Sequence, residues 1–522
     1  MKLSTSRYFI LVQQILVGLL LVSLGLLVTR GMVRQGSLNN MQTVAAALLA
    51  MILVLLLDRR YWILCPLGFV ADPLLPAIMK LSASELGCLA VIITGFFRQA
   101  LRRESNIRFK HLLLYAAPYF IWVGVIFILN STGFSFLGGR TIGARFYFKI
   151  LLAFLAMLSM STQEINEDDC RYLFYASVGL GLAVLVRSLY RFSQVEETDS
   201  AVSVYSLLPA AALFYWIIVR YRFSKLLRFG WQTFAALLLL LATFYTGKRR
   251  VTFNVAIFPL LRAFVSKQDR KPILLAYLLA SIPLTLMLAG QGRVFSLPLS
   301  MQRGLSFLPA KWDSQIAIYA GGEDPFRDNV RSYAWQQVRD NPWMGRQGFA
   351  IDYEEVYWIN YAGTTHDFEG HALVGNWHNT WIGMMADFGI PGALGWAVFV
   401  AALFYLTYSR LNQLPPGSYR YTVVLYHCCS VILMVLASHT SGHSALMPFQ
   451  WWPIFGLVLA IRTDSNELQS VELKNEAQHQ TDLRSAGRDR WHKNPRRATL
   501  AQGDRYVQSR YRSLAQGGRA DD

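Results

Sequence analysis

Charge is scarce in this chain. Asp, Glu, Lys and Arg supply only 16% of its 522 residues, against roughly 25% in soluble globular domains, which excludes an ordinary water-facing surface. Acidic residues are scarcer than basic ones, and 32 Asp and Glu against 50 Lys and Arg leave a formal net charge of +18. The basic residues fall mainly in short loops between apolar runs, as membrane orientation demands, so no nucleic-acid partner is expected. Cysteine is also sparse. Cys65, Cys88, Cys170, Cys428 and Cys429 have no metal-ligand spacing, and the adjacent pair sits in an apolar run. They read as small core residues rather than a disulfide framework or a redox pair. No internal repeat is evident.

Apolar side chains are abundant, at 54% of the chain. Runs long enough to cross a hydrocarbon core of about 30 Å recur, for example Tyr8 to Thr29, Leu112 to Leu129, Val202 to Val219 and Pro272 to Gly290. The expected fold class is all-α, a polytopic transmembrane helical bundle of about 12 to 14 spans occupying residues 1–461. The first run follows Met1-Lys2 and lacks the small-residue cleavage signal of a removed signal peptide, so it reads as a retained span. Tyr61 to Met79 is interrupted by Pro66, Asp72, Pro73 and Pro76 and reads as a broken or re-entrant helix. Residues 462–522 turn polar and Arg-rich, as in Arg488-Asp-Arg-Trp-His-Lys-Asn-Pro-Arg-Arg497, and read as a disordered, solvated cytoplasmic tail. Contact of that tail with anionic head groups is the less favoured reading.

Lys and Arg resist translocation, so the loops Arg98 to Lys110, Arg220 to Arg228, Lys267 to Lys271 and Arg410 to Arg420 are expected on the cytoplasmic side. On one alternating path both termini are then cytoplasmic. The acidic loop Gln163 to Asp169 falls on the same side. The loops near Arg30 to Asn40, Asn130 to Arg145, Gln291 to Trp377 and His439 to Met447 face outward.

One of those outer loops is large, about 85 residues from Gln291 to Trp377, and loops of that size usually carry function. Within it, Asp324-Pro325 has the chemistry of a helix start and Asn341-Pro342 that of a stop. Arg327, Arg331 and Trp335 fall between them at four-residue spacing on one face. Guanidinium groups beside an indole suit a phosphate-bearing donor; a solvated amphipathic helix lying on the membrane fits the spacing equally well. Lys248-Arg249-Arg250, between apolar runs, lies at the outer face on the same path, against the positive-inside tendency. Shifting the span count by one would make it an ordinary cytoplasmic anchor.

His378 stands where the large loop enters the next span, in Gly375-Asn-Trp-His-Asn-Thr-Trp381, and an imidazole there can take a proton from a hydroxyl nucleophile. A hydrogen-bonded structural histidine is the plainer alternative. His366, Glu369 and His371 raise a metal alternative, but their spacing is not that of a helical zinc site and no metal is expected. Arg140 and Arg145, in another outer loop, are open between donor contact and lipid head-group contact.

Taken together, these features resemble the O-antigen ligase and polymerase superfamily of bacterial membrane glycosyltransferases. His378-Asn-Thr-Trp381 followed by Asp387-Phe-Gly-Ile-Pro-Gly392 looks like that family's His-Asn motif and glycine-containing helix. Arg331-x-x-x-Trp335 and Asn341-Pro-Trp-Met-Gly345 look like its Arg, Trp and Asn-Pro...Gly pattern. Thr246-Gly-Lys-Arg-Arg250 stands at its Ser-Arg position, with Lys248 in place of the usual Ser and Arg250 in place of a small residue; Arg249 is favoured over Arg250 by position. The resemblance is close over roughly Ala235 to Tyr405.

The resemblance implies glycan transfer at the periplasmic face of the bacterial inner membrane, from an undecaprenyl-diphosphate-linked oligosaccharide donor to an acceptor hydroxyl. It implies no cofactor and no essential metal. Arg249, Arg331 and Arg250 would bind the donor diphosphate, and His378 would assist the acceptor. A polymerase lengthening O-antigen or exopolysaccharide is favoured, alone or with chain-length or export proteins. A ligase acting on lipid A core and a protein O-oligosaccharyltransferase share the motifs. A lipid-linked oligosaccharide flippase or transporter is the reading from another class; its polar groups would be expected near the midplane, in paired halves.

Overall fold

The computed structural model describes residues 58–71, 82–102, 107–129, 144–194, 208–226, 230–244, 248–266, 269–346, 377, 379–438 and 446–463. The chain divides into two compact units, Met1–Ile461 and Arg462–Asp522. Of the second, residues 462 and 463 are described, so the expected tail from 464 onward lies outside the described residues, as does the first expected span.

All regular secondary structure among the described residues is helical; the only β-type pairings among them are isolated bridges. A 3₁₀ turn, Asp58–Ile63, leads into α1 (Leu64–Ala71), followed by α2 (Ala83–Arg102), α3 (Ile107–Leu129), α4 (Ala144–Ser161) and α5 (Glu167–Gln194). Then come α6 (Leu208–Arg220), the single turn α7 (Phe223–Leu226), α8 (Trp231–Phe244), α9 (Arg249–Val265) and α10 (Arg270–Gly290). The segment after α10 contributes α11 (Leu299–Leu305) and α12 (Ser314–Asp340); α13 (Thr380–Leu411), α14 (Tyr419–Ala437) and α15 (Leu446–Ala460) complete the order. Lipid offers no partner to backbone N–H and C=O groups, and a helix satisfies them internally. The same environment tolerates Pro118, Pro259, Pro283, Pro391 and Pro453 inside helices.

Among the described residues, α5, α10, α13 and α14 contain stretches long and apolar enough to cross a membrane. Shorter apolar stretches occur in α2, α3, α4, α6 and α8. The run expected over Val202 to Val219 is helical over its described part, from Leu208 onward. Of Tyr61 to Met79, the described part is a 3₁₀ turn leading into the eight residues of α1; residues 72–80, with Asp72, Pro73 and Pro76, lie outside the described residues. All five cysteines are buried, with the Cys65 and Cys88 sulfurs 3.6 Å apart where α1 packs on α2.

The core is aromatic. Phe120 of α3 stacks on Phe154 of α4 at 3.9 Å between centroids, and Trp452 of α15 meets Phe120 and Phe399 edge-on at 4.6 and 5.2 Å. These contacts tie α3, α4, α13 and α15 together.

Polar contacts fix which helix ends lie side by side. Glu167, at the start of α5, accepts hydrogen bonds from the Tyr419 and Arg420 amides (2.6 and 3.1 Å) in the first turn of α14. Arg220, ending α6, donates to the Gly417 carbonyl at 2.7 Å, and Arg410, ending α13, donates to the Leu459 carbonyl at 2.6 Å near the end of α15. Asp269 accepts from the Phe223 amide at 3.0 Å and pairs with buried Arg262. Residues 163–169, 220–226, 269–271 and 410–420 therefore share one end of the bundle. At the opposite end the Thr380 amide, opening α13, donates to the Ser438 carbonyl (2.8 Å) that closes α14.

Candidate active site

The basic triplet sits at that opposite end. Helix α9 finishes at Ser266, whose hydroxyl bonds Tyr421 at 3.2 Å in the first turn of α14. Its first residue therefore lies about 25 Å away along the helix axis, and the alternative of a shared anchor with the loops at 220–228 and 410–420 does not hold. Lys248 occupies the N-cap in an extended conformation and makes no side-chain cap, and the first amides and positive dipole end of α9 lie beside Arg249 and Arg250. Arg249 is half-buried and Arg250 exposed. Thr246 and Gly247 lie outside the described residues.

Arg331 is on α12. The start expected at Asp324-Pro325 is corrected: the helix begins at Ser314, with the Asp313 carboxylate accepting from the Gln315 amide (2.9 Å) as the N-cap, and it runs through Pro325 to Asp340. Asp313 already supplies the cap, and an internal proline forfeits only one backbone bond. The stop is where Asn341-Pro342 places it, with Asn341 as C-cap. Val330, Ala334 and Val338 form the buried stripe of α12, packed against Trp377 and Ala386. Arg327, Arg331 and Trp335 run alongside it, one position C-terminal or three N-terminal. Arg331 is half-buried, with its Nε enclosed and unbonded among the described residues. Its Nη1 reaches Asp328 at 3.3 Å, but the Asp328 side chain is 70% exposed, so this pair is weak and leaves the guanidinium available to a stronger anion. Trp335 is exposed beside it.

The Asn341-Pro-Trp-Met-Gly345 turn docks on α13. Gly389 (φ 72, ψ 177) breaks the helical path there, a conformation essentially restricted to glycine. The Ile390 amide, freed by the kink, donates to the Pro342 carbonyl at 2.8 Å, and the Arg346 amide donates to the Ala386 carbonyl at 2.7 Å. A Cβ on Gly389 would collide with the Trp343 carbonyl, and one on Gly345 (φ 59) would stand 2.5 Å from the Ala386 oxygen. The two glycine motifs are thus the two halves of one joint.

His378 lies outside the described residues, as do His366, Glu369, His371, Arg140 and the side chain of Arg145. Its neighbours are described. Trp377 is fully buried, and the Asn379 side chain caps α13 by accepting from the Trp381 and Ile382 amides at 3.0 and 3.2 Å. Contacts connect the three motif-bearing elements: α11 packs against both α9 and α12, and α12 packs against α13.

Residues 234–397 match the family model described as O-antigen ligase. The match supports, over those residues, the resemblance read from the motifs. The matched stretch begins in α8 and ends within α13, so it contains Arg249, Arg331, the glycine joint and the His378 position. The similarity supports ligase- or polymerase-type function in general, that of a glycosyltransferase-like enzyme using lipid-linked glycan and an acceptor. No curated protein matches the chain.

The matched stretch also holds a charged centre that spacing alone did not single out. Asp387, with 0% exposure, accepts from the Trp377 indole N–H at 3.0 Å and from Arg346 Nε at 2.7 Å on the same oxygen. The Arg346 guanidinium lies 5.1 Å over the Trp377 ring, and Tyr333 of α12 stacks on the same ring with centroids 6.2 Å apart. The signal was present in the sequence: a carboxylate inside an apolar span requires a partner, and Arg346 is the basic residue next to the glycine turn that docks there.

Proposed function

We propose that this protein is a polysaccharide polymerase of the inner membrane, which lengthens O-antigen or exopolysaccharide on undecaprenyl diphosphate at the periplasmic face. The observation that carries the reading is the gathering of the Lys248-Arg249-Arg250 helix end, the Arg331 stripe and the start of α13 at one end of the bundle, inside the stretch that matches the O-antigen ligase model. This concentration at one end favours surface chemistry on a lipid-borne donor over transport, which needs polar groups near the midplane.

In this reading Arg249 and Arg331, aided by Arg250, hold the diphosphate of the donor. The acceptor hydroxyl oxygen attacks the anomeric carbon and gives its proton to His378. The bond from that carbon to the bridging phosphate oxygen breaks, and the lipid diphosphate leaves with the electron pair. Fixed guanidinium groups stabilise the charge that grows on the leaving oxygens, and a well-placed base contributes about 10² to 10⁴ in rate. No metal is assigned a role.

The test uses purified protein with synthetic undecaprenyl-diphosphate oligosaccharide and no added acceptor. Growth of a glycan ladder on the lipid, unaffected by chelator, is the expected result. Transfer seen only when lipid A core or a protein acceptor is supplied would move the assignment to a ligase or protein glycosyltransferase. Movement of donor across liposomes without any transfer would overturn the enzyme reading.

A further inference from the structure

The segment between α10 and α12 is built inside out. Among its enclosed side chains Gln291 and Gln302 are polar and Leu305 is apolar. Gln291 accepts from the Leu297 amide at 2.8 Å; Gln302 donates to the Leu297 carbonyl at 2.8 Å and to Ser296 at 3.1 Å, and accepts from the Asp313 amide at 2.9 Å. The two amides thereby knit residues 291–313 from within. Four large apolar side chains are turned outward instead. Val294 is 84% exposed, and Phe295, Leu299 and Phe307 are exposed with it. In water a buried polar centre beneath an apolar surface is the reverse of what folding favours, whereas a surface that meets hydrocarbon carries no such penalty.

The neighbouring helix identifies the medium. α10 runs directly into this segment, and Leu275, Leu278, Leu279, Ile282 and Leu286 along it are uncovered, on a helix long and apolar enough to span a bilayer. Phe307 continues that apolar surface sideways to Phe253 of α9, with ring centroids 6.3 Å apart. Arg293 and Lys311, both exposed, flank the apolar residues as interfacial cations do beneath lipid phosphates.

We infer that residues 291–311 form a membrane-interface element. Val294, Phe295, Leu299 and Phe307 enter the acyl region of the leaflet on the site's side, and Arg293 and Lys311 contact its phosphate groups. Because α11 of this element packs on both α9 and α12, its seating would hold the Arg249 and Arg331 helices at the depth where a lipid-borne diphosphate lies.

The experiment places a nitroxide at Val294→Cys, Leu299→Cys or Phe307→Cys in the full chain, reconstituted in phospholipid nanodiscs. Leu278→Cys on α10 is the reference, and unsubstituted protein is the labelling control, since the five native cysteines are buried. The expected result is that all three labels, like the reference, collide more with oxygen than with a water-soluble nickel chelate. Greater collision with the chelate at positions 294 and 307 would overturn the inference. So would spin–spin broadening that vanishes on dilution with unlabelled protein, since it would assign the surface to a second copy. These readouts do not depend on catalysis, so the inference and the proposed activity fail separately.

Discussion

Asp387 shows how much one residue can hold together here. Its carboxylate is wholly enclosed, and the Arg346 side chain that neutralises it is 13% exposed. Removing one partner of such a pair strands the other charge in a medium that solvates it poorly, at a cost of about 3 to 5 kcal/mol. Asp387→Leu should therefore sharply lower the melting temperature of the detergent-purified protein, and adding Arg346→Met should recover a large part of the loss, because replacing both members of a buried pair with apolar groups is often neutral. Gly389 makes a second residue-scale prediction. A side chain there meets both an unfavourable φ, at about 1 to 3 kcal/mol, and the Trp343 carbonyl. Gly389→Ala should lower the yield of monodisperse protein on size exclusion far more than Ala393→Gly in the same helix.

Among the elements, the stripe on α12 and the first turn of α9 present guanidinium groups with different surroundings. Arg331 is half-enclosed beside an exposed indole, whereas Arg250 is exposed. A planar fork matched to phosphate oxygens is not replaced by an ammonium, so Arg331→Lys should lower kcat/KM for lipid-linked donor nearly as far as Arg331→Ala. Both losses should be about tenfold to a hundredfold, the range for a hydrogen bond to a charged group. Arg250→Lys should have the smaller effect, which kinetics on the same donor would show. The stop of α12 and the glycine motifs were legible because each is a local pattern. The start of α12 was not. Asp324-Pro325 has the right chemistry, but Asp313 supplies the same cap earlier, and nothing in the local pattern decides between them. The Asp387–Arg346 pair was hidden for another reason: its partners are 41 residues apart and meet only because the glycine turn docks in the kink of α13.

For the whole molecule, hydropathy and loop charge were enough to predict an all-helical membrane bundle. They also predicted that the loops at 163–169, 220–228, 267–271 and 410–420 share one end, which the Glu167, Arg220, Arg410 and Asp269 contacts bear out for the described residues of those loops. The placement of Lys248-Arg249-Arg250 at the other end follows from the same alternation. Positive-inside orientation then predicts that a reporter fused after Gly417 is active in the cytoplasm and that one fused after Pro309 is active outside it; the opposite pattern would put the site on the wrong side for a periplasmic acceptor. The central claim concerns chemistry at that other end. Its most direct test is release of undecaprenyl diphosphate per glycosidic bond formed by reconstituted protein, comparing wild type with His378→Ala, Arg249→Ala and Arg331→Ala at equal amounts of folded protein. The account predicts stoichiometric release by wild type, a fall of about 10² to 10⁴ for His378→Ala, and a weakened donor response for both arginine variants. Wild-type rates in all three variants would contradict it.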